Sequence, residues 1–536
     1  MSLLDDTTMS VSFDGESLDI AGLRLVAQDR APVELSPWAL ERAANSRAMF
    51  EDIVAQDIPI YGVTTGYGEM IYMLVSTRNE VELQTNLVRS HCAGVGPCFA
   101  EDEARAMVAA RLNALAKGYS AVRPLLLQRL AQYLNEGITP AIPEVGSLGA
   151  SGDLAPLAHI ACTVIGEGYV LRAGKRVPTS NVLREHGIEP LQLRFKEGLA
   201  LINGTSAMTG LGGLVVGRAL DQVRQAEIIT ALVLETLQAS TSPFLAEGHD
   251  LARPHQGQID SAANMRALMR GTRLAVSHAS LREQAQAQRN WVGGVNRTEV
   301  YLQKAYTLRA VPQVVGAVRD TLYHAADTLE TELNSANDNP LFFAGEEIFH
   351  GANFHGQPVA FAMDFVTIAL TQLGVFSERR TNRLLNRHLS DGLPEFLVAA
   401  DPGLNCGFAG AQYPATALVA ENRTIGPAST QSVPSNGDNQ DVVSMGLISA
   451  RNARRVLSNN DKILAVELLC AVQAVDLAGR YGQLSPAAQA TYDLVRSLVP
   501  ALYRDRYLSD DIELVAAALS QNQIVDVVAG RGVTLR

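Results

Sequence analysis

The segment Gly146-Ser147-Leu148-Gly149-Ala150-Ser151-Gly152-Asp153-Leu154 sets three small residues, Ala150, Ser151 and Gly152, between a glycine-rich turn and an apolar helical pattern. Its plain reading is a helix start, with Ser151 or Asp153 as cap and Leu154, Leu157, Ala158 and Ala161 as the buried face. A second reading is covalent. In a tight bend the amide nitrogen of Gly152 can attack the carbonyl carbon of Ala150 and close a five-membered ring, and loss of two waters leaves an exocyclic methylidene from Ser151. The product, 4-methylidene-imidazol-5-one (MIO), is an electrophile made of backbone. The residue types suit it: glycine leaves its nitrogen unhindered and tolerates strained backbone, alanine is small, and only Ser, Thr or Cys can lose a β-substituent. The helix that follows directs its positive end at the ring and strengthens its electron demand. The triplet alone is a weak signal, because ordinary residue frequencies produce one in roughly one of five chains of this length.

The other reactive side chains offer no rival chemistry. Cys92, Cys98, Cys162, Cys406 and Cys470 form no CxxC pair, and an odd, scattered set reads as reduced thiols filling small core positions. His249 and His255 lie around Asp250, and His350 and His355 around Asn353. Neither pair has the i, i+4 helical spacing of a zinc site, nor further ligands close by. No metal and no nucleotide cofactor is expected.

Composition narrows the class. The chain has 536 residues, 44 Lys and Arg against 56 Asp and Glu, a formal charge of −12, and only 19% charged against 47% hydrophobic residues. That length exceeds the roughly 250–300 residues at which a single core stops growing, so more than one structural unit is expected. A net acidic chain without a basic block is a poor ligand for nucleic acid or an anionic membrane. The first fifteen residues carry Asp5 and Asp6 and lack the basic-then-apolar pattern of an export signal, and no apolar run reaches the roughly 18 residues of a membrane span. A cytosolic protein is expected, with a small molecule or further copies of itself as partner.

The elements that must hold the site are helical. Glu101 to Tyr133 opens with acids suited to a helix N-terminus and is interrupted at Pro124, which predicts a helix pair. Strand signal is confined to Val11-Ser12-Phe13 and to a hairpin from Tyr169 to Val177 turning at Ala173-Gly174. From about residue 205 the segments Leu211–Leu237, Val314–Leu333, Val359–Leu389 and Val442–Leu477 are apolar around most of their circumference. Such helices must be buried on several sides, which predicts a central bundle and faces left for other subunits. The expected division is an N-terminal domain over residues 1–205 and a helical domain over 206–536, cut at the turn Asn203-Gly204-Thr205-Ser206.

Further motifs stand in a particular order. They are Tyr61-Gly62-Val63-Thr64-Thr65-Gly66-Tyr67-Gly68, Asn86-Leu87-Val88-Arg89-Ser90-His91, Leu201-Ile202-Asn203-Gly204-Thr205, Tyr306-Thr307-Leu308-Arg309, Asn337-Asp338-Asn339-Pro340, Gly351-Ala352-Asn353-Phe354 and Asn439-Gln440-Asp441. With the Ala-Ser-Gly triplet, this set resembles the MIO-dependent aromatic amino acid ammonia-lyases and aminomutases over roughly Ile60 to Arg480. The resemblance implies a mainly α fold of the fumarase/aspartase-like, or histidine ammonia-lyase-like, type, with a central long-helix bundle and a smaller mixed N-terminal domain. It implies a homotetramer whose sites draw residues from several subunits. It also implies autocatalytic formation of MIO from Ala150, Ser151 and Gly152, with Tyr61 removing the substrate's β-proton, Arg309 pairing bidentately with its carboxylate and Asn203 holding the same end. Tyr306 and Gly68 would line the site and Phe354 face the aromatic ring. Attaching the substrate's amine to the methylidene makes a better leaving group, while Tyr61 acts as a phenolate, which nearby positive charge or helix ends would favour.

Histidine-specific members usually carry a Gln-Glu pair where this chain has Gln440-Asp441. Ser90-His91 resembles both the histidine lyases and the tyrosine aminomutases, whereas typical tyrosine lyases place their histidine one position earlier. In the aminomutases that this chain resembles, residues matching His91 and Tyr413 hydrogen-bond the phenol hydroxyl, a discrimination no purely apolar pocket provides. Tyrosine, or a ring analogue such as 2-aza-tyrosine, is therefore the expected substrate. The stretches Tyr61 to Met73 and Gly407 to Val456 look most like bacterial β-tyrosine-forming aminomutases of enediyne-type natural-product pathways, so 2,3-amino transfer is the expected reaction. The alternatives are a tyrosine ammonia-lyase that releases p-coumarate, a histidine ammonia-lyase, and a helical scaffold in which the triplet stays an ordinary turn.

Overall fold

The computed structural model describes residues 10–536 apart from Asp57, 289–290, Arg297, Glu299, Tyr301 and 345–347. The chain folds into two compact units, each assembled from separate stretches. The first runs to Gly217 and takes in His324–Phe365 and Pro427–Asn452, while the second comprises Arg218–Tyr323, Val366–Gly426 and Ala453–Arg536. A long helix does open at Ser206, right after the expected boundary turn. Its first turns nevertheless pack with the first unit, and the chain returns there twice, so a single cut at residue 205 does not describe the packing.

In the first unit the predicted helix pair forms at Glu101–Ala116 and Pro124–Asn135, with the proline in the opening turn of the second helix, where its missing N–H costs nothing. The predicted strand Val11–Phe13 pairs in parallel with Val33–Leu35, and the hairpin Tyr169–Arg172/Lys175–Pro178 turns where expected. A strand pair the sequence did not announce, Val95–Cys98 with Pro143–Val145, carries the chain from one site segment toward the Ala-Ser-Gly bend. Helix α1 (Glu80–His91) and helix α2 (Leu154–Val164) pack together, and the short helix Glu197–Ile202 packs against both.

The long helices are α3 (Ser206–Thr236), α4 (Val311–Leu333), α5 (Gln357–Leu385) and α6 (Gly446–Ala478). In the second unit their apolar faces bury Ile229, Leu232, Val233, Leu322, Leu370, Leu373, Leu464 and Leu468, each worth about 1.5–3 kcal/mol when fully withdrawn from water. Polar ties fix their register. Arg319 of α4 pairs with Glu227 of α3 at 2.6 Å, both fully buried, and Arg380 of α5 pairs with Glu467 of α6. Asn460 of α6 donates to the Leu370 carbonyl at 2.8 Å. Removing one partner of such a buried pair strands a charge, so these contacts specify which helices meet as much as they stabilise them.

Contrary to the sequence reading, α5 is long and apolar enough by length and composition to cross a membrane, with a mean hydropathy of 1.8 over its most apolar window. Of that window 67% is buried inside the protein, and within it Asp364 accepts the Ser429 N–H at 2.9 Å, as in a core helix. The cysteines are free as expected, but Cys406 is exposed rather than packed.

Candidate active site

The Ala150-Ser151-Gly152 bend is held from two sides. On one side the Asp153 N–H donates to the Gly204 carbonyl at 2.7 Å and the Gly204 N–H donates to the Ser151 carbonyl at 3.3 Å. On the other, the Met445 N–H donates to the Leu148 carbonyl at 2.9 Å. Both flanking positions require glycine. Gly149 and Gly152 have φ of +70° and +69°, and a Cβ at Gly152 would lie 2.0 Å from the Gly204 oxygen, one at Gly149 2.1 Å from Ser444 Oγ. Asp153, fully buried just past the bend, accepts from the Ser147 hydroxyl and from the Met208 N–H in the first turn of α3, both at 2.7 Å. The bend is thus anchored to the turn before α3, while α2 begins at Leu154 with its N-terminus beside it.

A cavity of about 730 Å³ in the first unit is lined by Tyr61, Gly68, His91, Ala150, Ser151, Asn203 and Phe354, all expected site residues, with Gly152 directly behind them in the chain. The Gly68 N–H donates to the Tyr61 phenol oxygen at 3.2 Å, a contact that favours negative charge there. Tyr67 also lines the cavity, with its ring edge-on to Tyr61 at 6.4 Å between centroids. Burial, with the neighbouring Tyr61 as second cause, pushes the Tyr67 phenol far above its ordinary value, and its oxygen accepts from Gln84 at 2.9 Å. Of the two phenols, Tyr67 is therefore the one that stays protonated.

His91 closes α1. Its Nδ1 lies 2.9 Å from the Leu87 carbonyl, which can only accept, so Nδ1 carries the proton and Nε2 is left as an acceptor. Asn203 is buried, and its Nδ2 donates to the Asn339 carbonyl at 3.1 Å while Oδ1 has no protein partner. As oriented, this amide suits the substrate's ammonium rather than its carboxylate, which would need the amide turned over and the Asn339 contact surrendered. Beneath this wall Lys196 and Asp338 form a fully buried ion pair, with Ser120 donating to Asp338 at 2.7 Å, and Arg111 donates to Asn337 Oδ1 at 2.9 Å. The Asn337-Asp338-Asn339 motif is a brace that fixes Asn203.

Two lining residues, Asn436 and Gln440, were not singled out from sequence. Gln440 Nε2 donates to Ser151 Oγ at 3.3 Å, and its Oε1 accepts from Ser435 at 2.8 Å. The motif Asn439-Gln440-Asp441 was the available signal, but its contact with Ser151 depends on a turn closed over Ser435 and Gln440.

Tyr306, Arg309 and Tyr413 do not line this cavity; they belong to the second unit. Tyr306 is 70% exposed and Tyr413 73%, unusual for aromatic side chains without a covering partner. Arg309 sits 4.6 Å over the Tyr306 ring and donates from Nε to the Lys304 carbonyl at 3.0 Å. Its surroundings are not uncharged, as the sequence implied, because Lys304 lies beside it in an ion pair with Asp391. Among the described residues no carboxylate pairs with Arg309 itself.

Residues 18–497 match the aromatic amino acid lyase family. The chain belongs to that family. It is 72% identical over 529 residues to the MIO-dependent tyrosine 2,3-aminomutase of Streptomyces globisporus, covering 99% of this chain and 98% of that protein. It is 59% identical to the tyrosine ammonia-lyase of Cupriavidus metallidurans, covering 97% and 98%. The crystal structure of the tyrosine aminomutase from Streptomyces globisporus superposes with a TM-score of 0.96, covering 98% of this chain and 100% of that one. The histidine ammonia-lyase-like fold expected from the motifs is the fold observed.

Aromatic amino acid lyases of this kind depend on MIO, and the bend fits the group. Ring closure needs a free Gly152 nitrogen and a free Ala150 carbonyl, and among the described residues neither makes a backbone or side-chain hydrogen bond. The anchor of the bend is pH-sensitive. Burial, only partly offset by the Met208 N–H and Ser147, raises the Asp153 carboxyl from 3.8 to about 6. A folded value above the unfolded one means this group's contribution is fully present below about pH 4 and is lost as pH rises through about 6, a loss of about 3 kcal/mol. Denaturant titrations at about pH 4.5 and pH 7 are expected to show this loss in the wild type and not in Asp153→Asn; equal slopes in both proteins contradict the burial argument.

Proposed function

We propose that this chain is an L-tyrosine 2,3-aminomutase whose MIO forms autocatalytically from its own Ala150, Ser151 and Gly152. The observation that carries this reading is 72% identity to a named mutase across 99% of the chain, against 59% to a tyrosine lyase. The cavity supports it by gathering Ser151, Tyr61, His91 and Asn203 around one volume. Once formed, the group supplies an electrophilic carbon that takes the substrate's amine and makes it a competent leaving group.

The side chains divide the rest of the work. His91 Nε2 accepts from the phenol hydroxyl, which sets the ring end and selects tyrosine over phenylalanine. Asn203 Oδ1 receives the ammonium. Tyr61 takes the β-proton, and the Gly68 N–H steadies the charge on its oxygen until that proton is returned at the α-carbon. The exchange is then balanced, with the amine moving from Cα to Cβ and the proton moving the other way. Arg309 clamps the carboxylate through its planar fork, with Tyr306 and Tyr413 beside the substrate. We assign these three to neighbouring subunits of a homotetramer. The exposed stripe Phe361, Phe365 and Ile368 along α5, with its two phenyl rings stacked at 6.3 Å, supports such an assembly.

The 59% identity to a tyrosine ammonia-lyase favours the second reading, in which the unsaturated acid escapes before the amine returns. Incubation with L-tyrosine alone, following coumarate by absorbance and β-tyrosine by chromatography, separates them. β-Tyrosine is expected as the main product. Mainly coumarate establishes the lyase instead, and urocanate from L-histidine overturns the choice of substrate.

A further inference from the structure

Cys92 stands at the C-terminal end of α1, directly after His91, and Cys162 lies in the last turn of α2. The Gly94 N–H donates to His159 Nε2 at 3.2 Å, which pins the chain just past Cys92 to α2 one turn before Cys162. The Cys92 thiol is hydrogen-bonded to both Cys162 and His159. Cys92 is partly exposed and Cys162 is 5% exposed, so one sulfur is open to a small oxidant and the other waits behind it. Contact with Cys162, and then with His159, draws the Cys92 thiol down to about 5, while its contact with Cys92 and its burial push Cys162 up. A thiolate beside a retained thiol is the arrangement in which an oxidised sulfur finds its resolving partner at once.

We propose that Cys92 and Cys162 are a redox-active pair that closes to a reversible disulfide against the wall of the substrate cavity. With hydrogen peroxide as oxidant, the Cys92 thiolate attacks one peroxide oxygen, giving a sulfenic acid and hydroxide, which is protonated to water. The Cys162 sulfur then displaces the sulfenic hydroxyl, its proton leaving with a second water. Two thiols and one peroxide yield one disulfide and two waters, and a dithiol reductant reverses the change.

The consequence follows from what the two helices carry. Leu87, Ser90 and His91 of α1 line the cavity, as does Leu154, the first residue of α2 after the bend. Hydrogen-bonded sulfurs must close to about 2.05 Å to bond, a movement on the order of 1–2 Å at the end of α1. His91 is the nearest residue to that movement. The disulfide is therefore expected to lower kcat/KM for tyrosine by roughly tenfold to a hundredfold, as displacements of this size do. That effect rests on the tyrosine reading above, whereas the crosslink does not.

The test uses the intact assembled protein, titrated with hydrogen peroxide, alkylated, digested and analysed by mass spectrometry, with turnover measured before and after dithiothreitol. The expected result is a linked peptide pair containing Cys92 and Cys162, lighter by two hydrogens than the reduced pair, with loss and recovery of kcat/KM in step with it. Cys92→Ser, at the partly exposed position, is expected to keep basal turnover and to lose both the link and the peroxide sensitivity. Sulfinic acid at Cys92 with Cys162 still free, or a link to Cys98 instead, overturns the pair. A complete Cys92–Cys162 link with unchanged kinetics overturns its connection to the cavity.

Discussion

Ser151→Ala is expected to fold as the wild type does and to convert tyrosine at least on the order of 10⁴-fold more slowly, the scale of loss when a covalent catalytic group is deleted. The hydroxyl of Ser151 is the group that must leave as water for the methylidene to form, and alanine has nothing to lose. In the folded chain that hydroxyl accepts one hydrogen bond, from Gln440 at 3.3 Å, and Gln440 keeps its second partner Ser435 at 2.8 Å. Removing the hydroxyl therefore costs about 1 kcal/mol, too little to unfold the protein. The geometry of the bend is set by Gly149, Gly152 and the contacts to Gly204 and Met445, none of which involves the Ser151 side chain. Intact-mass spectrometry separates chemistry from folding: the wild type is expected to be lighter than its sequence by two waters, and the variant to retain at least the water that serine would have lost. Ser151→Cys, which keeps a β-substituent able to depart, is expected to recover part of the activity. Wild-type turnover by Ser151→Ala rules out the backbone electrophile.

That this chemistry was readable before the fold has a physical reason. A group made from three consecutive residues is written contiguously, and the loop Tyr61–Gly68 and helix end Ser90-His91 are also local, so their neighbours in sequence are their neighbours in space. The helix pair broken at Pro124 and the hairpin at Ala173-Gly174 were legible on the same ground. What escaped depends on long-range packing. Gln84 reaches both the Gly62 carbonyl and the Tyr67 oxygen from α1, and nothing in the periodicity of α1 marks it. Lys196 and Asp338 are far apart in sequence and meet in the interior, where a charge count assigns both to the surface. The cut at residue 205 failed because a bundle helix can serve two units in turn, and apolarity around its circumference carries no marker of where its partners change. Arg309 and Tyr413 were recognisable as site residues by motif, yet their exposure in a single chain shows that recognising a residue and locating its site are separate problems.

Tyr61→Phe separates building the electrophile from using it. The Tyr61 oxygen is hydrogen-bonded to the Gly68 N–H and to no residue of the bend, so the variant is expected to lose both waters and show the wild-type intact mass. The phenylalanine ring retains the edge-on contact with Tyr67, and the chief structural cost is an unpaired Gly68 N–H, about 1–3 kcal/mol. Turnover is expected to fall on the order of 10²–10⁴-fold, the contribution of a positioned general base. Tyr67 is the obvious substitute, since it lines the same cavity, but burial keeps its phenol protonated and Gln84 holds its oxygen. A proton acceptor that cannot shed its own proton offers no route around the deletion. Exchange of solvent deuterium into the α- and β-positions of recovered tyrosine and β-tyrosine checks the assignment directly, because both transfers pass through the Tyr61 oxygen and both are expected to vanish together. Full turnover in a Tyr61→Phe protein carrying the intact group contradicts the assignment, and in that case Tyr67→Phe, with Gln84 left in place, becomes the decisive variant.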